Sequence, residues 1–270
     1  MNYLINYANE TYRKTQKLNT WTGKHFGKFD KVIEYSDKDI DEDFYYANKR
    51  ILDKKRGNGL WLWKPYIIKR TMDLVNEGDV VFYCDSGACF IRSAVPILKI
   101  LKKQDIWVSV LPLLDKQFTK RMTFEILNCD EEKYKNTPQI SGTFFAARKS
   151  AYSMEFVNQW LNYCCNYEAI SPDISSSEYD YFISHREDQS ILSLLVKKHG
   201  IVPYQDPTQF GVLPEKYNRP NCEMVYYKTK DYPACILHHR TKDANKKVLI
   251  RQLLCAVLPR KIGLKLISNH

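Results

Sequence analysis

The chain has 270 residues, of which 44% are hydrophobic and 27% charged, and this composition predicts a globular protein with a sizeable core. It contains no run of roughly 20 apolar residues, the length that a membrane-spanning helix needs, and residues 1–7 lack the features of a signal peptide. We therefore expect a cytoplasmic protein. The formal net charge of +10 admits nucleic acid, anionic lipid and phosphorylated ligands as partners without choosing among them.

Strand and helix patterns alternate along the chain. Apolar, β-prone runs predict strands at residues 3–7, 32–35, 80–85, 107–111 and 139–147. Helical spacing predicts helices at residues 41–53, 65–76, 94–103, 120–128, 151–167 and 186–198, with a loop or short helix at 8–22. This alternation is typical of an α/β sheet flanked by helices.

The most informative motif is the acid that ends the third predicted strand. The apolar run from Val80 stops abruptly at Asp85-Ser86-Gly87. Ligands of open α/β sheets bind outside the carboxyl ends of the strands, where a carboxylate can hold a metal ion or a ribose hydroxyl. Asp-Ser-Gly is also common turn chemistry. Because an aromatic cluster between glycines and a proline lies upstream, we place the centre of an active site at Asp85.

Several further motifs occur in a fixed order along the chain: Trp61-x-Trp63-Lys64-Pro65, Tyr83-x-Asp85-Ser86-Gly87, Thr119-Lys120-Arg121, Thr137-Pro138-Gln139 and His185-Arg186-x-Asp188-Gln189-Ser190. Together they resemble bacterial polysaccharide glycosyltransferases of capsule and lipopolysaccharide O-antigen synthesis. The sequence is more distantly similar to the retaining galactosyltransferases of lipopolysaccharide synthesis and to glycogenin. The resemblance extends through about His239 and implies a type-A nucleotide-sugar domain with a mixed, mainly parallel central sheet.

The resemblance also implies a divalent metal ion. In that fold an Asp-x-Asp motif binds the ion that bridges the two phosphates of the donor, and here Asp85 matches the first position while Gly87 stands in the last. Related enzymes add a C-terminal histidine, for which His238 and His239 are the candidates. We expect Mn²⁺ or Mg²⁺, held by Asp85 and His238.

The donor is expected to be a nucleotide sugar, whose leaving diphosphate needs positive charge at its oxygens. The residues expected to bind it are Asn6, Tyr7, Trp63, Lys64, Asp85, Ser86, Lys120, Arg121, Gln139, Ser141, Arg240 and Lys242. An extended segment would place Trp61 and Trp63 on one face as a stacking surface, and we favour a loop at the edge of the site over a core strand. For Lys120 and Arg121 the alternative is the solvated start of a helix.

The resemblance places the catalytic polar groups at Asp188 and Gln189, with Glu187 beside them. Asp188 or Glu187 could deprotonate the acceptor if the reaction inverts, and Asp188 could orient the sugar if it retains, which the resemblance slightly favours. The alternative for both acids is ordinary charge at a helix N-terminus.

The last residues form a basic amphipathic pattern, which divides the chain into a domain at 1–240 and a tail at 241–270. Such a helix suits an anionic membrane surface, although packing on the domain is the alternative. The family resemblance implies transfer of a hexose, with galactose or glucose on UDP as the family's commonest donor and galactose as our first expectation. The expected acceptor is a lipid-linked or growing surface polysaccharide at the inner face of the membrane.

Two other functions stay open. A transferase-like protein that binds glycans without catalysis is compatible with the missing second acid at Gly87. A nucleic-acid-binding protein is compatible with the charge, but the chain has no recognised nucleic-acid module and its aromatic residues are dispersed. We expect no nucleic-acid partner.

Overall fold

The computed structural model describes residues 1–174, 177–218, 220–226, 231–258 and 262–263. The strands are β1 Asn2–Tyr7, β2 Lys31–Tyr35, β3 Val80–Cys84, β4 Ala88–Phe90, β5 Ile106–Trp107, β6 Val110–Leu114, β7 Pro138–Ile140, β8 Phe144–Arg148 and β9 Ile236–His238. The helices are α1 Arg13–Thr22, α2 Glu42–Ala47, α3 Lys49–Leu52, α4 Gly57–Leu60, α5 Trp63–Leu74, α6 Val95–Ile100, α7 Asp115–Phe118, α8 Arg121–Ile126, α9 Glu132–Lys135, α10 Ala151–Cys165, α11 Tyr167–Ile170, α12 Glu187–Lys198, α13 Gln209–Val212 and α14 Lys246–Val257.

The central sheet has five strands in the order β2-β1-β3-β8-β5. Strand β1 runs parallel to β2 and β3, whereas β8 runs antiparallel to its neighbours β3 and β5. Four strands therefore point in one direction and β8 opposes them. The predicted fold class, α/β with a mixed, mainly parallel sheet flanked by helices, is confirmed.

Side-chain alternation along the strands explains why helices cover both faces of this sheet. Ile5 and Val81 point to the face that α5, α10 and α12 cover. Leu4 and Phe82, the next residues along each strand, point to the opposite face and pack with α6. Because both faces are buried, β3 is apolar at every position, as expected for an interior strand of a parallel sheet.

The prediction of one continuous strand at residues 139–147 is wrong. It is two strands, β7 and β8, which belong to different sheets. Between them the Gly142 peptide bonds to side chains, since its N–H donates to Gln189 Oε1 at 2.9 Å and its carbonyl accepts from Lys64 Nζ at 2.8 Å. The strand predicted at 107–111 is likewise divided between β5 and β6.

A two-stranded ribbon of β4 and β9 brings a C-terminal segment to the end of β3. His238 pairs with Ala88 in this ribbon. The backbone N–H groups of His239 and Arg240 both donate to the Gly87 carbonyl at 3.0 Å. Residues far apart in sequence thus meet beside Asp85.

Helix α14 packs on the same ribbon. Its Leu249 and Ala256 side chains contact the apolar cluster that contains Cys89 and Leu237. In the part of the chain that the structure describes, no helix is both long enough and apolar enough to cross a membrane.

Candidate active site

A cavity of about 450 Å³ opens where β1 and β3 end. The chain continues from β1 to β2 on one side of β1, and β3 lies on the other side, so the crevice is at a switch point of the sheet. Its wall is formed by Tyr7, Ala8, Asn9, Thr11, Tyr12, Lys55, Gly57, Asn58, Trp61, Trp63, Tyr83, Asp85, Ser86, Gly87, His238, Arg240 and Lys242. The volume is that of a typical small-molecule site.

One side of the cavity is aromatic. The Tyr7 and Trp63 rings stack, with centroids 3.8 Å apart and 14° between their planes. Asn58 Nδ2 donates to the Tyr7 hydroxyl at 2.5 Å, and Trp63 Nε1 donates to the Gly57 carbonyl at 2.9 Å. These bonds hold both rings in place at the cavity wall.

The tryptophan segment is not extended. Trp61 has a left-handed backbone, with a φ of +59°, and Trp63 is the first residue of α5. The turn depends on Gly57 and Gly59, which have φ values of +61° and +95°. Both indole rings line the cavity even so, because the turn aims them there.

The cavity wall is also cationic. Lys55, Arg240 and Lys242 line it, and they come from three different segments. The Arg240 guanidinium lies 4.7 Å from the ring centroid of Phe210 and makes a cation–π contact with that ring. Positive charge at a concave, partly apolar wall attracts anionic ligands such as phosphate.

Asp85 lies on the same wall. Its carboxylate is 29% exposed, accepts a hydrogen bond from the Tyr83 hydroxyl and lies 3.9 Å from Lys64 Nζ. Burial raises the pKa of Asp85, while Lys64 and Arg240 oppose that rise. Next to it, Ser86 Oγ donates to the Tyr7 carbonyl at 2.7 Å and ties the ends of β1 and β3 together.

Asp188 does not line the cavity. It is buried behind Asp85, where its Oδ2 forms an ion pair with Lys64 Nζ at 2.9 Å. Burial raises the pKa of Asp188 to about 7 against the opposing effect of Lys64. Lys64 therefore also lies behind the wall, between the two carboxylates.

The other predicted catalytic side chains have protein partners as well. Gln189 Nε2 donates to Gln139 Oε1 at 2.7 Å. Glu187 forms an ion pair with Arg56 at 2.5 Å and is 3% exposed, and burial raises its pKa. Together with Asp188 they form the start of α12, one layer behind the cavity wall.

Besides Lys64, five more of the predicted donor-binding residues lie outside the cavity wall. Asn6 Nδ2 donates to Asn19 Oδ1 at 2.8 Å, and Lys120 Nζ donates to the Asp173 carbonyl at 2.9 Å. Arg121 pairs with Glu125 at 2.8 Å. The remaining two, Gln139 and Ser141, are buried.

The wall also contains residues that the sequence did not single out. Tyr12 and Lys55 are examples. Tyr12 lies in the segment that follows the first strand, which was predicted as a loop or short helix. Its position after that strand is the sequence feature that could have identified it as a residue of the site. Lys55 lies in a Lys-Lys-Arg run that reads equally well as a solvated surface.

The proposed metal ligands can be tested against the donor atoms present. Asp85 and His238 line the same cavity, and burial lowers the pKa of His238 well below its ordinary value, which keeps the imidazole neutral. Within the described ranges, no three His, Cys, Asp or Glu side chains come together as a metal cluster. Among the described residues on the wall, Asp85 and His238 are the side chains that could hold an ion, and the oxygens of a phosphate ligand would have to complete its coordination.

Comparison with protein-family models found no match, and comparison with curated proteins found none. Among solved structures, mouse xyloside xylosyltransferase 1 in its apo form aligns over 91% of this chain and 100% of its own, with 9% identity and a TM-score of 0.49. The galactosyltransferase LgtC, in complex with donor and acceptor sugar analogs, aligns over 98% of this chain and 100% of its own, with 12% identity and a TM-score of 0.43. At these values the similarity assigns neither a family nor an activity to this chain, and a functional proposal depends on the cavity.

Proposed function

We propose that this protein is a type-A glycosyltransferase that uses a nucleoside-diphosphate sugar as its donor. The observation that carries the proposal is the composition of the cavity. Its wall combines the stacked pair Tyr7 and Trp63, the cations Arg240 and Lys242, and the carboxylate of Asp85. Few ligand classes need all three at once, and a nucleotide sugar does.

Each part of the wall suits one part of such a donor. The aromatic pair offers apolar surface to the base or a sugar ring. Arg240 and Lys242 would neutralise the diphosphate, whose negative charge grows as the bond to the sugar breaks. A divalent ion held by Asp85 and His238 supplies further positive charge there when it is bound.

The finer assignment rests on the sequence resemblance. We propose a UDP-linked hexose, galactose in the first instance, and a lipid-linked or growing surface polysaccharide as acceptor. Helix α14 suits such an acceptor because it carries Lys246 and Lys247 together with exposed apolar side chains. Those side chains are Ile250, Leu253, Leu254 and Val257. In this proposal residues 1–240 are the transferase domain and 241–270 contact the inner face of the membrane.

Thermal-shift measurements with UDP, GDP, CDP and ADP, each with and without Mn²⁺, test the donor class. A ligand that binds only the folded state raises the melting temperature. We expect one nucleotide to give the largest shift and Asp85→Asn to remove the Mn²⁺-dependent part of it. Asp43→Asn, a change at an exposed residue on α2, is the matched control. Absence of any shift in the wild-type protein would refute the proposal.

Flotation with anionic liposomes tests the proposed membrane contact. We expect the wild-type protein to float with vesicles that contain phosphatidylglycerol and not with neutral vesicles. Ile250→Asp, on the exposed face of α14, should reduce flotation. Equal recovery of variant and wild type would show that α14 does not contact lipid.

A further inference from the structure

The ammonium of Lys64 joins two carboxylates that come from distant parts of the chain. It lies 2.9 Å from Asp188 Oδ2, at the start of α12, and 3.9 Å from Asp85 Oδ1, at the end of β3. The Lys64 side chain is 4% exposed and that of Asp188 is 4% exposed, whereas the Asp85 carboxylate reaches the cavity. Lys64 thus connects a buried acid to an acid on the cavity wall.

The surroundings of Lys64 leave little room for a ligand phosphate. Its Nζ donates to the Gly142 carbonyl at 2.8 Å and lies 2.9 Å from an Asp188 oxygen and 3.9 Å from an Asp85 oxygen. The Tyr83 ring lies 5.4 Å from Nζ on another side. These contacts use the Lys64 ammonium for interactions within the protein. The sequence had predicted a contact between Lys64 and a ligand phosphate.

The charges explain why this lysine is needed. The two carboxylates repel each other, one of them buried and one partly exposed, and a cation within 4 Å of both offsets part of that cost. The same ammonium fixes the Gly142 peptide, whose N–H is held by Gln189 of α12. The position of Asp85 at the cavity is therefore linked to the start of α12 through Lys64.

We propose that Lys64 is a positioning residue, which holds the Asp85 carboxylate at the cavity wall, and that Asp188 influences the ligand only through Lys64. This inference rests on the proposed function, because it concerns the same cavity. The sequence analysis expected Lys64 to contact the donor phosphate and Asp188 to act at the reacting sugar. In the present proposal both residues lie behind Asp85 and contact neither group.

A comparison of two buried lysines separates positioning from general stability. Lys197 forms an ion pair with Asp115, and the two side chains are 14% and 0% exposed, but neither lines the cavity. Lys64→Met and Lys197→Met therefore remove the same group from similar surroundings. Both variants should lose thermal stability. We expect Lys64→Met to weaken binding of the best nucleoside diphosphate about tenfold or more, whereas Lys197→Met changes it less than about twofold. Isothermal calorimetry below both melting temperatures measures the affinities.

A double-mutant cycle tests the route through Lys64. Asp188→Asn should weaken nucleotide binding in the wild-type background and have no further effect in Lys64→Met. An equal effect of Asp188→Asn in both backgrounds would overturn the proposed route. If Lys64→Met does not fold, Lys64→Gln replaces it, since the amide can still donate to the Gly142 carbonyl.

The outcomes also separate this inference from the proposed function. If the wild-type protein binds none of the nucleoside diphosphates, the proposed function is wrong and the inference falls with it. If the wild-type protein binds one of them and the two lysine variants weaken it equally, the proposed function stands and the positioning role is wrong.

Discussion

The rings of Tyr7 and Trp63 stack at a centroid distance of 3.8 Å, and this contact joins the end of β1 to the start of α5. Both residues are almost completely buried except at the cavity, with 6% of each exposed. The stack therefore lines the candidate donor site and is also part of the core. Changes here should affect stability and ligand affinity together.

Trp63→Leu should weaken nucleotide binding by about twofold to tenfold, because stacking of an aromatic ring on a ligand ring contributes about 0.5–1.5 kcal/mol beyond the buried area. Trp63→Phe keeps a ring and loses the bond from Nε1 to the Gly57 carbonyl, so its effect should be smaller. Calorimetric titration of the folded variants measures both. Equal affinities for the two variants would mean that the stack does not contact the ligand.

Arg240→Met should weaken binding of UDP far more than binding of uridine, since the proposed contact is with the diphosphate. The matched change Arg121→Met should leave both affinities unchanged, because Arg121 lies outside the cavity and pairs with Glu125. The ratio of the two affinities is the measurement. A larger effect of Arg121→Met would favour the role that the sequence motif suggests over the position seen in the structure.

Asp188 should make stability depend on pH. Burial raises its pKa from the ordinary value of 3.8 to about 7, so the folded state holds this proton more tightly than the unfolded state. Between these two pKa values the folded protein binds more protons, and the contribution of Asp188 to the free energy of unfolding falls as the pH rises. It is constant above the upper value, where the group is ionised in both states.

Asp188→Asn removes this dependence. Relative to the wild type, the variant should gain stability between about pH 5 and pH 8, whatever its stability at the lower pH. Urea denaturation at both pH values measures the change, with Asp43→Asn as the exposed control. A constant difference between Asp188→Asn and the wild type would show that the carboxylate is ionised throughout this range.

Gly57→Ala and Gly78→Ala compare two glycines that share a left-handed backbone. Their φ values are +61° and +83°, which cost a side chain about 1–2 kcal/mol in either place. A Cβ at Gly57 would lie 2.2 Å from the Trp61 ring, whereas one at Gly78 would meet nothing within 4 Å. We expect Gly57→Ala to be the more destabilising and to lower nucleotide affinity by displacing Trp61. Chemical denaturation and calorimetry give the two quantities, and equal destabilisation would contradict the clash.

The local pattern of the sequence was sufficient for the order of most strands and helices. The apolar, β-prone run before Asp85 predicted a strand that ends at the acid, and β3 ends at Cys84. The glycines beside Asn58 likewise predicted a turn at the edge of a site. What the pattern did not reveal was the break at Gly142, since that peptide is held by Lys64 and Gln189, which are distant in sequence.

The sequence by itself determined the fold class and the position of Asp85 at the end of β3, because strand periodicity and turn chemistry are local properties. Only the tertiary structure decided which charged groups share the cavity. Arg240 and His238 reach it through the pairing of β9 with β4, while Lys64 and Asp188 neutralise one another behind it. Whether a charge meets a ligand or another charge depends on burial and on long-range contacts, and neither is encoded in the spacing of a motif.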